Sequence, residues 1–499
     1  MKEMGWKKII ILIILAGLDV FVIALPYYIR NFIPNTYTKL HVDEATFTQM
    51  AAIVGWVTLI TQLPGGWLAD KFSVKKLLII GVSLTIVGAV WFALLILYGG
   101  SIEKTPLLNY QYYAIYALWG VSTTPFFWTP LWKLVSQQAK GKDQALAYSL
   151  QGGFNGLMGV IFTGIGGVIV LSIIQGVEAG VDNTNTEAIK AVNAKTSAIF
   201  AGYIFAFSGF LLILLLGLIF LVKEKESQDK SSLEWKTIVK VISDWKVWAL
   251  SVLLLGMYMF QSTFTYYLNQ LMVNTLGASL SIPALTFTIL AALRIYGLRM
   301  AMSSVLAKLS DGFRSFVLLL VMTTGVGVIL VLTFMFIPGF NGSYITYSTP
   351  VMWILFIVMN VLFFMIVSCS WIMVTLRYAQ QGEIKIPKKT YGTITAILSF
   401  VGFSSDAWMF QISTPIVSSF KREIPNALAG HGQYFNYTAS SAGPTFTYTD
   451  PTAYQIIIAI GAVIAIIGLL AGLAVYISNA RFNSRYNLTF HRWRKLEND

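Results

Sequence analysis

Long apolar runs, separated by short polar segments, dominate the sequence. Most runs reach the roughly 20 residues that a helix needs to cross a bilayer, and the chain has room for about twelve. The runs are continuous rather than alternating, which favours helices over the strands of a membrane barrel. The pattern therefore predicts an all-α membrane protein with twelve transmembrane helices, at about residues 8–33, 47–69, 77–97, 110–134, 144–171, 196–222, 245–270, 282–306, 316–336, 350–374, 390–418 and 454–478.

A charged connection divides the runs into two sets of six. Residues 223–243 begin as a solvated linker, and Ser231 and Glu234 fit the capping box of a short amphipathic helix on the membrane surface. The predicted domains are a six-helix bundle, this linker, a second six-helix bundle and a basic tail, at residues 1–222, 223–243, 244–478 and 479–499. The polar segments 172–195 and 419–453 are predicted as external loops whose role is open.

The composition supports a membrane protein. The chain is 56% hydrophobic and 11% charged, whereas a soluble domain carries about 25% charged residues. The net charge of +13 does not indicate nucleic-acid binding, because most lysines and arginines fall in segments predicted as cytoplasmic. This bias predicts a protein of the cell membrane with both termini in the cytoplasm. The basic tail is expected to touch anionic lipid headgroups.

The charged residues Asp19, Arg294 and Asp406 lie well inside predicted spans. Charges at this depth are costly and usually functional, so they are expected to face a shared polar cavity. The planar donors of Arg294 suit a carboxylate or phosphate, which predicts an anionic substrate. The alternative is a structural ion pair with either aspartate. Arg299, nearer the cytoplasm, is expected to extend toward the headgroups.

Asp19 and Asp406 are also candidates for proton coupling. Burial favours the neutral form of a carboxyl group, and a neighbouring arginine favours the charged form. A substrate that engages Arg294 would therefore shift a proton onto the carboxyl group. The alternative is a permanent salt bridge that does not titrate.

Polar and aromatic residues on other spans are candidates to complete the cavity. Gln151 and Asn155 are four residues apart and share one helix face. For the aromatic candidates, a place at the membrane interface is the alternative. The further candidates are Tyr258, Gln261, Thr265, Asn360, Trp371, Tyr27 and Trp128.

A charged turn between the second and third runs carries a recognisable motif. Gly66 is followed four residues later by Asp70 and then by a basic cluster formed by Lys71, Lys75 and Lys76. This resembles the loop signature of the major facilitator superfamily, although Ser73 and Val74 stand where the family usually has glycine and a basic residue. The corresponding turn of the second half repeats the aspartate, as Asp311.

The resemblance implies two pseudo-symmetric six-helix bundles with the substrate near the midplane between them. It also implies that the Asp70 contact helps to hold the cytoplasmic side closed. The alternative is a topology anchor formed by the lysines. The segments 127–131, 293–299, 386–392 and 405–406 resemble a branch of carriers for sugar acids and other organic anions.

The expected function is secondary active transport of a small polar, anionic metabolite by alternating access, coupled to protons. Sugar acids, sugar phosphates and other organic anions are the candidate substrates; an anion exchanger and a neutral-sugar symporter are alternatives. A non-transporting sensor would need a larger cytoplasmic domain. The motifs of hydrolases, nucleotide-binding proteins and metal sites are absent from the sequence, which predicts no enzyme, cofactor or metal. The expected partners are substrate, protons and lipid, and the chain is expected to be a monomer.

Overall fold

A computed structural model describes residues 6–29, 32–33, 36–99, 106–138, 143–179, 185–224, 239, 242–302, 315–384, 391–424, 436–440 and 443–482. Within them, the long helices form twelve successive segments. They are α1 (Trp6–Ile23, continued by Ala24–Tyr28), α2 (Glu44–Lys71), α3 (Val74–Tyr98), α4 (Pro106–Thr123, Thr124–Trp128 and Thr129–Gln137), α5 (Asp143–Met158, Gly159–Ile165 and Gly166–Glu178), α6 (Thr186–Leu221), α7 (Trp245–Met259, Phe260–Phe264, Thr265–Met272 and Val273–Gly277), α8 (Ala284–Met302), α9 (Phe316–Phe336), α10 (Thr349–Leu376), α11 (Tyr391–Gly402 and Ser405–Ser419) and α12 (Pro451–Phe482).

Nine helices of the described ranges are long and apolar enough to cross a membrane. The three long segments outside this set are α2, α4 and α11, and each contributes polar or charged side chains to a central cavity. Polar and charged side chains on such segments are expected to face a cavity rather than lipid.

The helices begin where the sequence supplies capping side chains. Asp43 accepts a hydrogen bond from the backbone N of Thr46 at 2.7 Å and starts α2. Asn185 caps α6 in the same way. This cap starts α6 at Thr186, and α5 runs to Glu178. Most of the segment predicted as the loop 172–195 is therefore helical.

The buried apolar side chains form two large clusters. One is built from α1–α6 and the other from α7–α12, and a few residues of α8 join the first. We call these helix sets the N half and the C half. The halves meet where α2 packs against α11 and where α5 packs against α8.

Glycines permit close approach at both contacts. A Cβ atom on Gly55 would lie 2.0 Å from the carbonyl oxygen of Asp406, and one on Gly159 would lie 1.9 Å from the ring of Tyr296. Helix backbones can approach this closely only where the side chain is absent.

Wider π-helical turns interrupt five of the helices: α1, α4, α5, α7 and α8. Such turns are rare and often mark functional sites. The turns Ala24–Tyr28, Thr124–Trp128 and Phe260–Phe264 each carry side chains that line the central cavity. They were not predicted, because the apolar pattern runs through them without a break.

The segment 419–453 is not simply a loop. It contains three strands, β1 (Lys421–Ile424), β2 (Asn436–Ser440) and β3 (Gly443–Thr449). They form an antiparallel sheet in the order β1-β3-β2, with Lys421 opposite Thr449. The prediction of an all-α fold is confirmed for the membrane helices, and this sheet is an addition to it.

Some predictions lie outside the described residues. They are the linker helix after Ser231, the second-half motif residue Asp311 and the tail beyond residue 482.

Candidate functional site: a central cavity and a buried ion pair

A cavity of about 100 Å³ lies between the two halves. Its walls come from α1, α2 and α4 of the N half and from α7, α11 and the end of α10 of the C half. The lining residues are Ile23, Tyr27, Tyr28, Thr58, Gln62, Thr123, Thr124, Trp128, Tyr258, Gln261, Ser262, Thr265, Tyr266, Arg377, Phe403 and Asp406. Hydroxyl groups, amides and aromatic rings thus surround one carboxylate and one guanidinium.

Asp406 is the acidic group of the cavity. It lies in the first turn of the second part of α11, where it is buried. The hydroxyl group of Tyr258 donates a hydrogen bond to its Oδ2 at 2.7 Å. Nearby, Gln261 donates from Nε2 to the hydroxyl oxygen of Tyr28 at 2.8 Å, across the two halves. The Oε1 atom of Gln261 is buried and has no partner within the described chain, so it can accept a further hydrogen bond.

Arg377, the basic group of the cavity, was not predicted as a site residue. It follows α10 directly, and three aromatic rings surround its guanidinium. The Cζ atom lies 5.6 Å from the ring centre of Trp128, 5.1 Å from that of Tyr378 and 5.3 Å from that of Phe403. No described carboxylate lies within ion-pair distance of it. A buried cation held only by rings retains donors for an anion.

The candidate residues Asp19, Gln151 and Asn155 form a separate cluster. Asp19 Oδ2 accepts hydrogen bonds from Gln151 Nε2 at 3.1 Å and Asn155 Nδ2 at 2.7 Å. Arg299 forms an ion pair with the same oxygen, at 3.3 Å. The expectation that Arg299 extends toward the headgroups is wrong, because its side chain reaches across to α1 instead. These side chains are not part of the cavity lining.

Arg294 lies in the C half, away from the cavity lining. Its NH2 group donates to Asn269 Oδ1 at 2.8 Å, and its Cζ lies 4.0 Å from the ring centre of Phe363. Its NH1 group is buried and has no hydrogen-bond partner among the described residues. The alternative of an Arg294 ion pair with Asp19 or Asp406 is not seen in this arrangement, because no described carboxylate lies within ion-pair distance of Arg294 and Asp19 pairs with Arg299. A role of Arg294 in substrate binding stays a prediction.

Two further candidates lie on α10 and outside the cavity lining. Asn360 donates from Nδ2 to the carbonyl oxygen of Phe356, one turn earlier, at 2.8 Å. Trp371 donates from its indole N–H to the backbone carbonyl of Arg294 at 3.4 Å. Both contacts are structural, and neither side chain belongs to the cavity lining.

The charged turn between α2 and α3 is tied to the end of α6. The carboxylate of Glu224 accepts hydrogen bonds from the Ser73 hydroxyl and from the backbone N of Val74 and Lys75. Lys75 Nζ donates to the carbonyl of Ile219 at 2.7 Å, which suits a cation near a helix C-terminus.

Further residues of the motif are Lys76, Gly66 and Asp70. The backbone of Lys76 donates to the Ser73 hydroxyl oxygen. Gly66 and Asp70 belong to the helical backbone of α2, but the side chain of Asp70 lies outside the described ones. The gating role of Asp70 stays a prediction.

The start of α9 is held in a matching way. Glu383, just after α10, accepts hydrogen bonds from the Ser315 hydroxyl and from the backbone N of Phe316 and Val317. Burial raises the pKa of Glu383, an effect that these hydrogen bonds only partly oppose. Helices α3 and α9, which occupy equivalent places in the two halves, thus each receive a carboxylate at the N-terminus. Within the described residues, no group of His, Cys, Asp and Glu side chains has the arrangement of a metal site.

The fold and the central cavity define a membrane transporter built from two helical bundles. A model of the Major Facilitator Superfamily matches residues 9–409. The chain belongs to this superfamily, as the charged-turn motif predicted.

Particular relatives agree with this assignment. An uncharacterized protein of Mycoplasma pneumoniae, described as the MG294 homolog, is 39% identical over 508 residues, covering 100% of this chain and 98% of the relative. The nucleoside transporter NupG, solved in a mutant form, has a TM-score of 0.58 at 13% identity and covers 94% of this chain and 100% of its own. The transporter FucP in the outward conformation has a TM-score of 0.55 at 18% identity, covering 93% and 99%. At these identities, the two structures show the fold alone.

Proposed function

We propose that this protein is a secondary transporter that carries a small anionic metabolite through the central cavity by alternating access. The observation that carries the proposal is Arg377: a cation inside the cavity, surrounded by rings and without a described carboxylate partner. Its planar set of donors suits a carboxylate or a phosphate. The anion-binding role first expected of Arg294 is therefore assigned to Arg377.

The remaining lining suits a polar organic molecule of modest size. Tyr258, Gln261 and Thr265 offer hydroxyl and amide groups, and Trp128 and Phe403 offer ring faces. Sugar acids and other hydroxylated organic anions combine these features. This aromatic and hydroxyl-rich lining also supports a second candidate, a neutral sugar or nucleoside, for which Asp406 rather than Arg377 would be the main partner.

Asp406 is the proposed proton carrier. It shares the cavity with Arg377, and it accepts a hydrogen bond there from the hydroxyl group of Tyr258. Asp19 lies outside the cavity lining, where two amide donors and a guanidinium are its partners. A proton on Asp406 would leave Arg377 as the only charge among the described lining residues, so an anion and a proton would enter together.

Transport assays in proteoliposomes test the proposal. Purified protein is reconstituted, and uptake of a labelled sugar acid, a sugar phosphate, a neutral sugar and a nucleoside is compared with and without an inward proton gradient. The expected result is anion uptake that the gradient accelerates. Uptake that ignores the gradient but requires substrate inside the vesicle would indicate an exchanger. Uptake of only the neutral compounds would overturn the anionic assignment.

Two matched arginine variants locate the anion site. Loss of a hydrogen-bonded charge contact costs about 1.5–3 kcal/mol, so Arg377→Gln is expected to weaken anion affinity by about tenfold or more. Arg377→Lys keeps the charge but loses the planar donors, so its anion affinity should lie between that of the wild type and that of Arg377→Gln. If Arg294→Gln lost anion affinity and Arg377→Gln kept it, the anion site would instead be at Arg294 on α8.

A further inference from the structure

The buried cluster of Asp19, Gln151, Asn155 and Arg299 is not used by the proposed function. We call it the interface cluster. Asp19 is on α1 and the two amides are on α5, all in the N half, whereas Arg299 is on α8 of the C half. The ion pair therefore joins the two halves, and it must separate if α8 moves away from α1 and α5 during the transport cycle.

Separation would affect the two charges unequally. The side chain of Arg299 is 20% exposed, and that of Asp19 is 2% exposed. Arg299 can therefore move toward water with α8, whereas Asp19 stays packed between α1 and α5. A buried carboxylate that loses its partner is strongly destabilising. Asp19 thus needs another cation whenever Arg299 is withdrawn.

The surrounding amides indicate what kind of cation this is. Gln151 Oε1 and Asn155 Oδ1 are both buried and have no hydrogen-bond partner in the described chain. These oxygens belong to the same half as Asp19 and remain beside it. A proton would use only the carboxylate, whereas a hard metal cation binds several oxygen atoms, including carboxylate and amide oxygens. An amide can also turn its oxygen toward the ion, because its O and N atoms are nearly isosteric.

We propose that Asp19, Gln151 and Asn155 form a binding site for a monovalent metal cation of the sodium type. In the arrangement seen here, the guanidinium of Arg299 occupies this site as a tethered cation. In the alternative arrangement a cation from solution takes its place. The proposal rests on the alternating access of the proposed function, but not on Arg377, Asp406 or the identity of the substrate.

Removal of the tethered cation gives a direct test. In Arg299→Gln the competitor is gone, so sodium should bind more tightly. If Arg299 occupies the site nine-tenths of the time, the apparent affinity for sodium should rise about tenfold. Binding of radioactive ²²Na⁺ to the purified full-length protein, without transport substrate, measures this. Thermal unfolding in NaCl, LiCl, KCl and choline chloride at equal ionic strength gives a second readout.

Further variants make the result specific. Asp19→Asn, with or without Arg299→Gln, should abolish ²²Na⁺ binding, and Asn155→Ala should weaken it. Arg294→Gln is the matched control, because it removes a buried arginine of the same helix that does not contact Asp19; it should leave sodium binding unchanged.

Two outcomes would overturn the proposal. One is equal ²²Na⁺ binding by wild type and Asp19→Asn. The other is no ²²Na⁺ binding by either wild type or folded Arg299→Gln. If Arg299→Gln does not fold, the comparison of wild type with Asp19→Asn still decides. Because no substrate is present, failure of the anion assignment would not imitate either outcome.

Discussion

The contact between α2 and α11 predicts a strong effect of the smallest possible substitution, Gly55→Ala. The added Cβ would lie 2.0 Å from the carbonyl oxygen of Asp406 and 2.6 Å from the backbone N of Ala407. An ordinary carbon–oxygen contact is about 3.3 Å, so the helices would have to separate locally by about 1.3 Å. Backbone atoms cannot rotate aside. The cost should be that of overpacking, about 1–3 kcal/mol, a factor of roughly 5 to 150 in the population of this arrangement.

The displaced residue is also the acidic group of the cavity. The hydrogen bond from Tyr258 to Asp406 is 2.7 Å long and depends on the position of this same backbone. Gly55→Ala is therefore expected to reduce initial uptake rates in proteoliposomes by tenfold or more. Spin labels on α2 and α11 should report a longer distance distribution between the helices.

Gly202→Ala on α6 is the matched control. Its added Cβ would meet no atom within 4 Å, and alanine is favoured over glycine in a helix by about 1 kcal/mol. This variant should transport like wild type and be slightly more stable. Wild-type uptake and unchanged label distances in Gly55→Ala would refute the reasoning, because the close contact would then have no role in the cycle.

Two further predictions concern the predicted external face and the start of α9. Lys39 and Glu178 form an ion pair at 2.5 Å in which Lys39 is nearly buried. Lys39→Met should therefore lower the free energy of unfolding by about 1 kcal/mol. Adding Glu178→Gln to this variant should have little further effect on the free energy of unfolding. The pKa of Glu383 is raised in the folded protein above its usual value of 4.5. Glu383 therefore contributes fully to the free energy of unfolding below pH 4.5, and this contribution is lost as the pH rises through the pKa of the folded state. Glu383→Gln should therefore flatten the fall in melting temperature with rising pH; an identical pH dependence in the variant would contradict this.

Hydropathy predicted the long helical segments, and nine helices of the described ranges are apolar and long enough to cross a membrane, because lipid demands a continuous apolar surface along each span. It also identified Asp406, Tyr258 and Gln261, which do line the cavity. It missed Arg377 for a physical reason. A basic residue just beyond an apolar run ordinarily extends into the headgroup region, and only the rings of Trp128 and Phe403, distant in sequence, turn it inward.

The two arginines of α8 illustrate a second limit. Arg294 and Arg299 are five residues apart, and in a regular helix their directions follow from 3.6 residues per turn. Here Arg294 lies within the π-helical turn Leu293–Gly297, which precedes Arg299 and changes that relation. The apolar pattern gives no signal of this turn, so the sequence could not tell which arginine reaches Asp19.

The positions of the charges suggest which half keeps the substrate bound while the halves move. Among the described lining residues, the charged groups Arg377 and Asp406 belong to the C half, whereas those of the N half are uncharged, such as Trp128 and Thr58. An anionic group of the substrate should therefore stay with the C half while the N half moves past it. The ion pair of Asp19 with Arg299 lies outside the cavity and spans both halves. Its separation can thus accompany the movement without displacing the substrate, so substrate binding and cation exchange should be separable by mutation.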